Sequence, residues 1–315
     1  MQTTSAVTSS KLILALFCLA SAACSSSSGA PNATGGDAAG ADGAAVDAGD
    51  GCDIPSDDPA ATCVRTVSGS VTDIDGAPLA NRSVTVCGII CFYAQTAADG
   101  SFTTYIDSNI NIARFAALAH GRPDYASLYA KLPAAAEHIT VAPLRIPKYL
   151  DGQVLPDDGA PASHVISGDV TLDIPDNTAF QLDVDDVASP TGRQFRVGAA
   201  KASELPDFAK ASGAVQLYGL APFGATSVVN GSASAPTGPT PQKLAVHVKN
   251  TSKLLQPNQK VQFFVLGVNL LSSPPTAGSE VDVATGTVSA DGTTIDTDAG
   301  QGISTISWLG VRKAS

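Results

Sequence analysis

Glutamate, histidine and aromatic side chains are all scarce in this chain, and each shortage closes off a class of chemistry. Only three of its 29 acidic residues are glutamates (Glu137, Glu204 and Glu280), and it has four histidines, His120, His138, His164 and His247. No His-x-x-Glu or His-Glu-x-x-His occurs, so a His/Glu zinc site with a glutamate base is poorly supplied. Aromatic residues make up 5% of the 315 positions, with Trp308 the single tryptophan, which leaves little material for stacking on bases or sugars. Lysine and arginine total 18, and the resulting net charge of −11 disfavours nucleic-acid phosphates and polybasic membrane contacts. A Gly-x-Ser-x-Gly elbow is missing, as is a Gly-rich phosphate loop with a lysine, so neither a serine hydrolase nor a nucleotide site is indicated.

Aspartate, glycine and proline are plentiful instead, with 29 Gly and 20 Pro. Aspartate favours turns and caps over helix interiors, so this composition predicts a turn-rich β protein. The length suggests about two domains. At the N-terminus Lys11 precedes an apolar run over residues 12–19, too short for the ~20 residues that span a bilayer. Ser21, Ala22 and Ala23 then lead into Cys24. Small residues before a cysteine resemble the lipobox of bacterial lipoproteins, with Ser21 where that family usually has Leu, Val or Ile.

The resemblance implies cleavage after residue 23, lipidation of the Cys24 thiol, palmitate among its acyl chains, and partnership with a membrane through that anchor. Multiple acyl chains at ~0.8 kcal/mol per buried CH₂ make such an anchor effectively permanent. Ser25 and Ser26 resemble an outer-membrane sorting signal, so the expected address is the cell envelope. Residues 25–50 hold four Ser, six Gly, eight Ala and four Asp, with no aromatic, Lys or Arg. Such a stretch has too little apolar surface to offset its ordering entropy and reads as a disordered tether.

Four cysteines remain: Cys52, Cys63, Cys87 and Cys91. Four allow three disulfide pairings. The local one is expected, Cys52–Cys63 closing a turn-rich loop where order begins and Cys87–Cys91 pinching a connection between two strands. The alternative, a four-cysteine zinc site, normally uses paired Cys-x₂₋₄-Cys knuckles, and Cys52 and Cys63 are too far apart for one.

Beyond the tether, short β-branched or alternating runs recur between turn signals, notably over residues 67–72, 83–87, 168–174, 244–248 and 261–268, the pattern of a sandwich. Asp99-Gly100 between two such runs predicts a hairpin. Tyr125, Leu128, Tyr129 and Leu132 fall at helical spacing, and Pro123 and Pro133 limit that pattern to one short helix. The residues Gly69, Val71, Asp73, Gly76, Pro78 and Leu79, then Val84 and Val86, then Asp99, Gly100 and Phe102, resemble the carboxypeptidase regulatory-like domain. That family is a transthyretin-like sandwich of seven strands, usually accessory and without catalytic residues. The resemblance implies a core of Val71, Val84, Val86 and Phe102, and a turn shaped by Asp73 and Gly76. Asn81 stands where the family has Gly, and Asn also accepts a left-handed backbone. Ala97 stands where it has Asp.

The chain is therefore read as all-β: signal peptide 1–23, lipidated Cys24 and tether 24–64, a carboxypeptidase regulatory-like sandwich 65–147, and a second β-sandwich 148–315. No residue is assigned a catalytic, metal or cofactor role. His120 is read at a turn, and His138 and His247 as solvent-facing strand positions. Asp183, Asp185 and Asp186 are read as a strand end and turn, Trp308 as a core residue. Asp73/Asp75 and Asp291/Asp296/Asp298 offer loop oxygens without EF-hand spacing and read as Asx turns. The expected function is non-catalytic binding or scaffolding at the envelope, with an envelope protein or polysaccharide as partner and no nucleic acid. The alternative is an accessory subunit or divergent hydrolase acting on polymers.

Overall fold

A computed structural model describes residues 51–200, 213–232 and 238–314. Strands account for 48% and helix for 5% of the described residues, which places the protein in the all-β class. Among the described residues, no helix is long and apolar enough to cross a membrane. The first half contributes β1 (Thr62–Thr72), β2 (Ser83–Cys87), β3 (Cys91–Gln95), β4 (Ser101–Ile110), β5 (Ala116–Ala119), β6 (Leu128–Lys131), β7 (His138–Thr140) and β8 (Leu144–Arg145). They form two facing sheets, β4-β1-β7 with β8 also on β1, and β3-β2-β5-β6.

Period-two alternation decides what faces inward. Val67 and Val71 of β1, Val84 and Val86 of β2, and Phe102 and Ile106 of β4 are all buried in one core. Val64 is buried too, although it is three residues from Val67; Arg65 N and Thr66 N both donate to Glu137 O, at 2.7 and 3.1 Å, a bulge that supplies the extra residue in β1. Gly76 closes the turn after β1 with φ 86°, and Asn81 occupies the left-handed region at φ 57°. Asp73 accepts backbone hydrogen bonds from Asp75 (2.9 Å) and Ala77 (2.8 Å), fixing that turn.

Disulfides join Cys52 to Cys63 and Cys87 to Cys91. The second closes the β2–β3 hairpin between directly opposed residues, with Cα atoms 4.1 Å apart. Direct opposition across an antiparallel pair brings Cα atoms as close as ~4.5 Å, which accounts for the short span.

Two sequence expectations are corrected here. Residues 125–132 are not helical: Leu128–Lys131 is β6, paired with β5. The segment is extended despite the helical spacing of its apolar residues because β5 pairs with residues 128–131, while Ala126 N donates to Pro147 O (2.9 Å) and Tyr125 forms a bridge to Lys148. Asp99-Gly100 does form a tight turn, with Ala97 N donating to Ser101 O at 2.8 Å and Gly100 at φ 77°. It is a corner between the two sheets rather than a hairpin, because β3 pairs with β2 while β4 pairs with β1.

The second half comprises β9 (Gln153–Val154), β10 (Ser163–Ser167), β11 (Val170–Ile174), β12 (Thr178–Gln181), α1 (Val184–Ala188), β13 (Gln194–Ala200), β14 (Ala214–Ala221), β15 (Thr226–Val229), β16 (Ala245–Lys249), β17 (Lys260–Leu266), β18 (Glu280–Val288), β19 (Thr294–Thr297) and β20 (Trp308–Lys313). Ten of these make one antiparallel sheet, ordered β10-β11-β16-β19-β18-β17-β20-β14-β13-β9, and β12 pairs with β15. The large sheet curls until its two edges meet. Side chains join them: Gln153 accepts from Ile166 N (2.8 Å), and Ser167 Oγ donates to Asp151 O and accepts from Val197 N, both at 3.0 Å. A near-barrel results, filled by Leu172, Phe195, Leu220, Val246, Phe263, Ile295 and Leu309 among others.

Three barrel strands are buried on both faces. Tyr218 and Leu220 of β14, Phe263 and Val265 of β17, and Leu309 and Val311 of β20 point into the barrel. Their neighbours Leu217, Phe264, Leu266 and Trp308 point the other way, into the core that holds Val84, Val86, Ala117 and Leu128. At the centre, fully buried Trp308 donates from Nε1 to Ser127 O at 2.7 Å. Close approach requires glycine at two points: a Cβ at Gly219 would lie 2.4 Å from Ala126 Cβ, and one at Gly310 would enter the Phe264 ring. Accordingly, the described residues form one compact unit.

Removing Trp308 should therefore loosen both cores. Trp308→Phe, which leaves Ser127 O without its donor, should cost about 1–3 kcal/mol. Trp308→Ala should cost about 3–5 kcal/mol, measured by urea unfolding. An alanine variant within the error of wild type would show that the contact carries little stability.

Candidate functional site

The structure brings the four described site cysteines together in two separate pairs. Cys24 lies outside the described residues. Cys52, Cys63, Cys87 and Cys91 are used in the two disulfides, which removes them as thiolate ligands. Among the described residues no three His, Cys, Asp or Glu side chains converge as a metal ion would need. The Asp291 carboxylate is consumed locally: Oδ1 accepts from Ser289 Oγ (2.6 Å), Thr293 N (3.0 Å) and Thr293 Oγ1 (2.8 Å). Those bonds hold its pKa down at about 2. Asp298 accepts from Thr285, Thr287 and Lys260.

Two arrangements bring titratable groups together. The first is at the junction of the two halves. His120, Arg122, Ser127, Tyr129, Asp183 and Phe223 are among the residues lining a cavity of about 190 Å³. Arg122 lies in the β5–β6 connection and reaches α1, where its guanidinium meets Asp186 at 3.0 Å, Asp185 at 3.5 Å and Asp183 at 3.7 Å. It also donates to Phe223 O at 3.4 Å.

The run Asp183, Asp185, Asp186 is therefore a capped helical turn rather than a strand end. Asp183 is the N-cap, accepting from Asp185 N at 3.1 Å, and aspartates in a first turn suit the positive end of a helix. Nothing in local spacing points to the ion pair itself, because its partners are 64 residues apart. The run of three acids within four residues was the legible part; the cation was not.

Burial dominates the electrostatics of this cluster. Asp186 is 6% exposed, and loss of solvent raises its pKa to about 6; Asp183 and Asp185 push the same way while Arg122 opposes. Burial, reinforced by the Arg122 charge, lowers the pKa of His120, whose Nε2 lies 3.2 Å from Thr85 Oγ1. With one cation facing three carboxylates, the cluster is suited to clamping α1 against the first sandwich.

The second arrangement crosses four barrel strands on the solvent side. His164 of β10 directly opposes Asp173 of β11. His247 of β16 is held between two carboxylates, Nε2 at 3.0 Å from Asp173 and Nδ1 at 2.7 Å from Asp296 of β19. Burial works against the imidazolium, but the two hydrogen bonds and the two negative charges outweigh it, so the His247 pKa is raised. Period two places His247 on the outer face, as its alternation with Val246 and Val248 indicates; its carboxylate partners come from strands 74 and 49 residues away. A groove of about 550 Å³ beside it is lined by His164, Asp173, Lys243 and Gln301. His138 sits elsewhere, its Nδ1 2.9 Å from Thr66 Oγ1 on the exposed side of β1.

No family model, curated protein or solved structure matches the chain.

The raised Asp186 pKa has a definite sign. The folded state keeps this proton to higher pH than the unfolded chain, so the associated stability is full below about pH 4 and is lost as pH rises through about 6. Asp186→Asn abolishes that titration. Relative to wild type, the variant should gain stability between pH 4 and 7, by no more than about 3 kcal/mol, in urea titrations at each pH. A pH-independent difference would contradict the assignment.

Proposed function

We propose that this protein is a lipid-anchored component of a bacterial cell envelope, attached through Cys24, whose β body serves a non-catalytic binding or scaffolding role. The observation that carries the reading is the order of features along the chain. A short apolar run and small residues precede Cys24, a Gly/Ala/Ser/Asp-rich stretch follows, and a disulfide-stapled body comes last. Disulfides persist in oxidising compartments such as the periplasm and cell surface, which supports an address outside the cytoplasm. Ser25 and Ser26 favour the outer membrane.

A carboxypeptidase regulatory-like identity for the first half is supported by its two-sheet arrangement, the buried Val71, Val84, Val86 and Phe102, and the left-handed Asn81. The non-catalytic reading is supported by how three of the four histidines are engaged. Both ring nitrogens of His247 face carboxylates, which leaves neither to activate a nucleophile. His120 and His138 each face a threonine hydroxyl in separate places. An envelope protein or polysaccharide is the partner class in this reading.

Expression in a lipoprotein-processing bacterium with labelled palmitate tests the anchor. Wild type should carry label and sediment with membranes, and Cys24→Ala should lose both. Label retained in the alanine variant, or absent from wild type, would overturn the reading.

A further inference from the structure

One end of the first sandwich gathers four exposed aliphatic residues, Ile54, Ile89, Ile90 and Leu271, near the point where the chain enters the body. Strand register defines that end: Thr62 at the start of β1 faces Ile110 at the end of β4, and Ala116 at the start of β5 faces both Cys87 and Lys131. The first described residues pack there, since Asn109 Nδ2 donates to Cys52 O and Ile54 O, both at 2.8 Å, and Asn111 Nδ2 donates to Asp58 at 2.9 Å. Residues 25–50 separate this point from Cys24, so the anchor connects to the body at this end.

Two loops project beside it. Gly88, Ile89 and Ile90 form the tip of the disulfide-closed β2–β3 hairpin, with Ile89 80% and Ile90 51% exposed. The β17–β18 connection, residues 267–279, presents Leu271, 78% exposed. Asn269 Oδ1 fixes that apex by accepting from Leu271 N (2.8 Å) and Ser272 N (3.0 Å). Neither loop contains a charged residue, in a chain whose net charge is −11. Between them runs an apolar groove of about 230 Å³, lined by Ile112, Phe115, Leu132, Leu270, Pro274 and Pro275. Gly88 backs directly onto Phe115, so hairpin tip and groove are continuous. Lys131 lines the groove, and exposed Arg114 follows Ala113 in its wall, close to the Asp58 carboxylate.

We propose that this end of the body rests on the lipid surface, with Ile89, Ile90 and Leu271 entering the acyl layer. The proposal rests on the Cys24 anchor reading, which brings this end to the membrane. A lipid occupant is favoured over a protein because the projecting residues are aliphatic tips on two loops that hold no charged and no aromatic residue, whereas aromatic anchors dominate protein interfaces.

The test uses the full, lipid-modified chain reconstituted into phosphatidylcholine vesicles, with and without bromine-substituted acyl chains. Ile89→Trp and Leu271→Trp place reporters in the two loops, and Tyr105→Trp places a control on exposed β4, five residues back from Ile110. Bromolipid should remove most of the added emission from the two loop variants and leave the control unchanged. Palmitate-labelled protein with no quenching in either loop variant would overturn the docking while leaving the anchor standing. Quenching of unlabelled protein would sustain the docking and overturn the anchor. Equal quenching of the control would overturn a defined lipid-facing end, as would quenching lost on adding an envelope protein extract that shields both loops.

Discussion

The architecture depends on three barrel strands that are apolar on both faces. β14, β17 and β20 send alternate side chains into two separate cores, so neither core is complete without them. Trp308 is where the two requirements meet: its ring is fully buried against the first sandwich, and its indole N–H satisfies the Ser127 carbonyl. An unpartnered carbonyl in that position would cost about 1–3 kcal/mol, which ties the orientation of the first sandwich to one side chain on the last strand. Gly219 and Gly310 complete the arrangement by letting Ala126 and Phe264 occupy space that any Cβ would fill. The contact joins residues 181 positions apart, so it ties the last strand to the N-terminal sandwich.

The acidic composition finds its explanation in local hydrogen bonding rather than in a binding site. Asp73, Asp99, Asp183 and Asp291 each accept backbone N–H groups within two residues, which is the chemistry that makes aspartate a turn and cap residue. On the outer face of the barrel other aspartates pair across strands, Asp173 and Asp296 with His247 and Asp298 with Lys260. Arg122 gathers three more at α1. At one end of the first sandwich aliphatic Ile89, Ile90 and Leu271 project from two constrained loops.

Sequence alone carried the strand content well, because alternation and β-branching are local signals. Residues 83–87 are β2 as read, and 261–268 and 244–248 fall on β17 and β16 within two residues. Local cysteine pairing was legible for the same reason: short separations limit the geometry. Errors arose where a distant partner overrode a local pattern. The i, i+3, i+4 spacing around Tyr125 and Leu128 is held extended by β5 and by Pro147, and the Asp99-Gly100 turn joins sheets because β1 captures β4. The Arg122–Asp186 pair and the carboxylates around His247 were invisible for a related reason, since each is made by strands or loops dozens of residues apart. Curling of the ten-stranded sheet was equally hidden, because Gln153 and Ser167 close it through side chains that carry no strand signal.

The central claim is that the two cores are a single cooperative structure sealed at Trp308. Native-state hydrogen exchange tests this most directly, comparing the slowest amides of β2 and β5 with those of β16 and β19. Shared dependence on β14, β17 and β20 predicts that both sets exchange only through global unfolding, with the same free energy and the same denaturant dependence. Exchange of either set through a separate, lower-energy opening that leaves the other protected would contradict it.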